Sequence, residues 1–218
     1  MILLENVSFS FKDGEILHDV NLEVKNGQFV GVIGANGAGK TTLIRLMLGL
    51  LKPSSGKVVI DEKSVAYVAQ TTSLNDGSFP ATVEEVVYLG LAKMKPTLFS
   101  YRNNKKKKLN DILEEFGLTE FRHRLVNELS GGQLQRVKIA KALISDPSLI
   151  ILDEPDAGMD HESHEKLIES IKELNKKKGK TIVFISHHLH DLEDADAIFQ
   201  VKAGVVSTFE GGDEHAAL

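Results

Sequence analysis

The sequence predicts an α/β fold: a mostly parallel sheet covered by helices, with an antiparallel β portion at the N-terminus and a helical lobe inserted into the core. Three observations predict it. Short apolar runs at residues 29–33, 149–153 and 181–185 are separated by helical stretches, the pattern of parallel strands buried on both faces. Two strand-like runs, residues 2–9 and 16–24, flank a Lys12-Asp13-Gly14 turn, which reads as an N-terminal hairpin. The middle of the chain carries helical periodicity with few strand signals, so it reads as an insertion.

Taken in order, the hairpin is followed by a strand at 29–33 that runs straight into a Gly-rich segment and then a helix at 41–51. Pro53-Ser54-Ser55-Gly56 is a turn, and strands follow at 57–60 and 65–68. Helices are expected at 83–93, 105–116 and 131–143. The core resumes with a strand at 149–153, a helix at 161–177 and a strand at 181–185. The whole reads as one domain over 1–218: core residues 1–71 and 146–210, a helical lobe at about 72–145, and a frayed tail at 211–218.

A chain of 218 residues can bury one good core. With no cysteine, disulfides and thiol chemistry are excluded. The net charge of −5 argues against general nucleic-acid binding. The lysine runs at 105–108 and 176–178 sit in helical patterns and read as solvated faces. No apolar run approaches the roughly 20 residues that span a bilayer, and the N-terminus lacks the features of a signal peptide. Any membrane role is therefore expected to be peripheral.

Three motifs carry chemistry. Gly34-Ala35-Asn36-Gly37-Ala38-Gly39-Lys40-Thr41, continuing to Thr42, matches G-x-x-x-x-G-K-[ST] between a strand and a helix. Its glycines let backbone amides curl around a polyphosphate, Lys40 supplies a positive charge to it, and the Thr41 hydroxyl suits Mg2+. Asp153 and Glu154 end an apolar strand, where the ligand crevice of an open parallel sheet lies. Leu129-Ser130-Gly131-Gly132-Gln133 opens a helix, with Ser130 as an N-cap candidate.

In this order, the three motifs resemble the ATP-binding cassette (ABC) family, the motor subunits of ABC transporters, over nearly the whole chain. The resemblance implies a P-loop NTPase core, ATP hydrolysis and Mg2+. It implies that Gly34 to Thr42 hold the phosphates and that Asp153 reaches Mg2+ through water. Glu154 would be the general base, with Lys40 and His187 at the γ-phosphate. Gln70 would touch Mg2+ and link core to lobe, and Phe11 would stack on adenine. Ser130, Gly131, Gly132 and Gln133 would contact nucleotide held by a second copy, and Asp160 would cross between copies. The implied partners are thus a head-to-tail, ATP-dependent homodimer, an integral-membrane permease and, indirectly, an extracytoplasmic metal-binding protein, with no nucleic acid. The implied place is the cytoplasmic face of the membrane.

Three positions depart from the family pattern: Asp156, Met159 and His188. His187, His188 and His190 do not read as a metal site, and His161 and His164 read as exposed surface histidines. The segment Phe79-Pro80-Ala81-Thr82-Val83, continuing to Val86-Val87, resembles the ATPases of bacterial zinc and manganese importers, the zinc branch more closely. Its residues also suit a bend, an N-cap at Thr82 and one apolar helix face. Phe79 is expected to be exposed and to anchor the permease contact. A manganese or iron importer, and a soluble ABC ATPase of an assembly system, stand as the alternatives.

Overall fold

The computed structural model describes residues 1–12, 14–62, 64–70, 80–92, 101–156 and 158–209. Phe79 and the tail at 211–218 lie outside the described residues. The chain divides into two compact units: Met1–Val65 with Ser148–Glu154 and Ile168–Leu218, and Ala66–Pro147 with Pro155–Leu167.

In the first unit, β1 (Ile2–Phe11) pairs antiparallel with β2 (Gly14–Val24) and with β4 (Ser55–Ile60). The inward face of β1 changes parity along its length. Ile2 and Leu4 are buried, and then Val7 and Phe9. The change falls at Asn6, whose φ of 49° is left-handed and whose amide donates to Asn21 Oδ1 at 2.9 Å. This bulge, a register shift between Leu4 and Val7, lets one strand present its apolar residues to a single core despite a broken alternation.

The parallel sheet is built from β3 (Phe29–Ile33), β6 (Leu149–Asp153) and β7 (Thr181–Ile185), each buried along its whole length. Full burial on both faces explains why these strands read as continuous apolar runs. Within this unit the strand order is β6, β7, β3, β8, β9. The last two, β8 (Ala197–Lys202) and β9 (Val205–Thr208), were not predicted. β8 lies parallel to β3, and β9 turns back antiparallel through Ala203 and Gly204, both with positive φ. That turn is a hairpin signal, but the flanking residues are mostly half-exposed and alternate weakly. α1 (Lys40–Met47) ends earlier than predicted. Gly49, with φ 67°, takes the left-handed conformation that closes a helix C-terminus.

The second unit holds β5 (Val65–Val68), counted from its second residue, and the helices α2 (Val83–Tyr88), α3 (Tyr101–Glu115) and α4 (Gly131–Leu143). Thr82 caps α2 in a capping box with Glu85, and Val83, Val86 and Val87 are buried together. The predicted helix to residue 93 instead tightens into a 3-10 turn at Leu89–Leu91. There Gly90 lies so close to α4 that a Cβ would sit 2.0 Å from the Lys141 carbonyl oxygen. The lysine run at 105–108 is not wholly solvated. Lys105 is buried, its ammonium 5.4 Å from the Tyr88 ring centroid, where ring face and charge attract. α5 (His161–Lys178) starts in the second unit and ends in the first. Among the described residues, no helix is long and apolar enough to cross a membrane.

The close approach at Gly90 gives a direct test. Gly90→Ala forces backbone, not a flexible side chain, to move, so it should destabilise the chain by about 1–3 kcal/mol. Denaturant unfolding measures the loss.

Candidate active site

The loop between β3 and α1 is shaped by its own glycines. Gly34 has φ 151°, and a Cβ there would lie 2.3 Å from the Val201 carbonyl oxygen. Gly39, at φ 111°, occupies the N-cap position of α1 without a side-chain cap. The first amides of α1 are therefore left to a ligand, and the positive end of the helix faces the same way. Ala35, Asn36 and Gly37 are exposed, Ala38 is buried, Thr41 is exposed and Thr42 half-buried.

Lys40 is only 7% exposed. Its ammonium donates to the carbonyls of Gly34 at 2.7 Å and Ala35 at 3.3 Å, and lies 3.7 Å from Glu154 Oε1. The same Glu154 oxygen is 2.7 Å from His187 Nε2. One carboxylate thus joins the loop lysine to the second residue after β7. Glu154 reaches this position because the chain leaves β6 with φ 47°, a left-handed conformation rare for a non-glycine residue. Its amide donates to the Ile185 carbonyl at 3.1 Å, which fixes the turn. Asp153, the last residue of β6, stays buried. Beside His187, the buried Ser186 hydroxyl donates to Asp191 at 2.7 Å and accepts from the His188 amide at 2.9 Å, so the loop after β7 is pinned from inside.

A cleft of about 600 Å³ opens beside this group, lined by Gly34, Asn36, His187 and His188 and by Gln200 and Lys202 of β8. The wall from β8 was missed by sequence reasoning, because the strand was.

In the second unit, Ser130 caps α4. Its Oγ accepts from the Gln133 amide at 3.3 Å, and Gln133 Oε1 accepts from the Ser130 amide at 3.0 Å. Ser130 and Gly131 are exposed, Gly132 buried and Gln133 half-buried. Gly131 and Gly132 allow a close backbone approach: a Cβ on Gly131 would be 3.1 Å from the Gly158 carbonyl oxygen. Asp160 accepts from the Ser163 amide at 2.9 Å and hydroxyl at 2.8 Å, bonds that hold its carboxyl below the usual range. Gln70 is exposed at a bend after β5. Phe11, in the first unit, is 48% exposed and stands edge-on to Phe9 at 4.8 Å. The first unit therefore brings together Lys40, Glu154 and His187. Ser130, Gly131, Gly132, Gln133 and Asp160 belong to the second.

The sequence model of the family described as ABC transporter matches residues 17–157. The chain belongs to the ABC transporter family. Its relatives include the zinc uptake system ATP-binding protein ZurA of Listeria innocua, 37% identical over 198 residues, which are 87% of this chain and 77% of that protein. The high-affinity zinc uptake system ATP-binding protein ZnuC of Bacillus subtilis is 32% identical over 212 residues, 94% of this chain and 92% of that one. Among solved structures, the dimeric ATP-binding cassette MJ0796, in a post-hydrolysis state with ADP and Pi, superposes with a TM-score of 0.84 at 30% identity, covering 97% of this chain and 100% of that chain. As an ABC cassette the chain binds and hydrolyses ATP.

The cap at Ser130 has a measurable structural share. Ser130→Ala should cost about 1 kcal/mol of stability in the absence of nucleotide, and Ser130→Thr less. Urea unfolding of the two variants separates this share from any effect on turnover.

Proposed function

We propose that the chain is the ATP-hydrolysing motor of an importer for a divalent transition-metal ion, with zinc as the cargo. The observation that carries the motor role is the Glu154 carboxylate between the Lys40 ammonium and the His187 ring, at 3.7 and 2.7 Å. A polyphosphate entering the loop offers Lys40 a denser negative charge than the carbonyls of Gly34 and Ala35 do. Lys40 turns to the β- and γ-phosphates, and Glu154 is released to accept a proton from the attacking water. His187 then reaches the γ-phosphate. Gly34 to Thr42 hold the phosphate chain through their amides, and the exposed ring of Phe11 stacks on adenine. Thr41, Asp153 and Gln70 offer only oxygen donors of the hard type that suits Mg2+. When bound, that ion neutralises charge developing on the phosphates.

Ser130, Gly131, Gly132 and Gln133 serve the nucleotide of a second copy arranged head-to-tail, with Asp160 crossing between the copies. Support comes from the resemblance to a dimeric cassette and from the exposure of Ser130 and Gly131 at the start of α4. Closing and opening of the dimer would drive a membrane permease from the cytoplasmic face, through the inserted lobe at 72–145, with the segment from Gln70 to Val87 as the contact. Zinc as cargo rests on the names of ZurA and ZnuC and on the segment from Phe79 to Val87. The ion would be handled by the permease and an extracytoplasmic binding protein, so this chain needs no cargo site of its own.

Glu154→Gln preserves shape and removes the base. ATP binding should persist while turnover falls about a hundredfold or more. Unchanged turnover removes Glu154 from the mechanism. For the cargo, a strain lacking this chain should regain growth on added zinc and not on added manganese; the reverse result reassigns the ion.

A further inference from the structure

The residue two after Glu154 departs from the family pattern, and the structure gives it a partner. Asp156 Oδ2 lies 3.7 Å from His164 Nδ1, and each side chain is 20% exposed. His164 is thus half-buried and not the exposed surface histidine expected from the sequence. It sits in the first turns of α5, and its amide donates to the Asp160 carbonyl at 2.9 Å. The Met159 amide donates to the Asp156 carbonyl, also at 2.9 Å, and Asp160 is held by Ser163. Gly158, Met159 and Asp160 are therefore tied to α5 at both ends, by the Asp160 cap on one side and by Asp156 and His164 on the other.

The far side of this stretch is the start of α4. A Cβ on Gly131 would meet the Gly158 carbonyl oxygen at 3.1 Å, and one on Gly132 would meet Met159 Cα at 3.7 Å. At Gly131 backbone lies on backbone, with only Gly158 atoms facing it, while at Gly132 the Met159 side chain meets the helix start as closely as its backbone does, with Cγ also at 3.7 Å. A displacement of Gly158 is therefore passed directly to Gly131, and one of Met159 reaches Gly132 through both backbone and side chain.

We propose that Asp156 and His164 form a positioning pair. It holds Gly158 and Met159 against Gly131 and Gly132, and so sets where the amides at the start of α4 point. The proposal rests on the reading that Ser130 to Gln133 serve a nucleotide. Neither Asp156 nor His164 touches the reacting atoms; both act through the start of α4.

The test uses the full chain with Asp156→Asn, His164→Gln and the double variant. Two readouts are taken: hydrogen exchange at the Gly131, Gly132 and Gln133 amides, and the kcat and KM for ATP. Each single variant should raise exchange at those amides about two- to tenfold, the range for contacting residues. Each should lower kcat and leave KM unchanged, and the double should be no worse than the poorer single. Lys166→Ala breaks an exposed pair with Glu162 (2.6 Å) on the same helix and should change neither readout. Exchange at wild-type rates in both single variants overturns the pair. So does a double variant whose loss is the product of the two singles. Raised exchange with wild-type kcat overturns the positioning role by removing the nucleotide reading of Ser130 to Gln133, and leaves the pair itself standing. Should Asp156→Asn fail to fold, His164→Gln and Asp156→Glu carry the same comparison, with Asp156→Glu expected to retain wild-type exchange.

Discussion

The ammonium of Lys40 is almost fully removed from water, and the removal of an unpaired charge costs several kcal/mol. Much of the local architecture compensates for that one group. Two carbonyls of its own loop turn inward to accept from it, which brings Gly34 to φ 151° with no room for a Cβ beneath Val201. Glu154 comes across from the end of β6 with φ 47°, a conformation that costs an L-residue about 1–2 kcal/mol. Three parallel strands buried along their whole length supply the rigidity that holds both bends in place. In the proposed mechanism a phosphate chain would satisfy the same ammonium better than carbonyls do, and binding would be coupled to the release of Glu154.

The same logic explains which features were legible in the sequence. β3, β6 and β7 were predicted to the residue because burial on both faces leaves an unbroken apolar run. Their ends place Gly34, Glu154 and Ser186 in the site. α4 was equally clear, because its helical periodicity begins at an N-cap candidate, Ser130, which the structure shows in a capping box with Gln133. β8 and β9 escaped because β8 is mostly half-buried and β9, at the sheet edge, is mostly exposed, and with them went one wall of the cleft. The early end of α1 was a missed signal: Gly49 stands where a left-handed residue closes a helix.

Other features depend on distances that no spacing encodes. The burial of Lys105 within a lysine run needs the Tyr88 ring beneath it. The pairing of Glu154 with both Lys40 and His187 needs a backbone turn that few non-glycine residues make. Likewise, nothing in the spacing of Asp156 and His164 announces that they meet. These are side-chain meetings fixed by packing, and periodicity is silent about them.

The central claim is that one chain carries two half-sites, the Gly-rich loop around Lys40 and the start of α4 at Ser130, and that ATP joins them between two copies. The absence of cysteine gives a clean background for testing it. Asn36 and Ser130 are both exposed, and Asn36→Cys avoids the positive φ of Gly37. Chains carrying Asn36→Cys are mixed with chains carrying Ser130→Cys, each also bearing Glu154→Gln to halt turnover, and treated with a short bis-thiol reagent. The account predicts a crosslinked dimer of the two different chains that forms with ATP and not without it. An equal yield without ATP, or no mixed dimer with ATP, would contradict the claim.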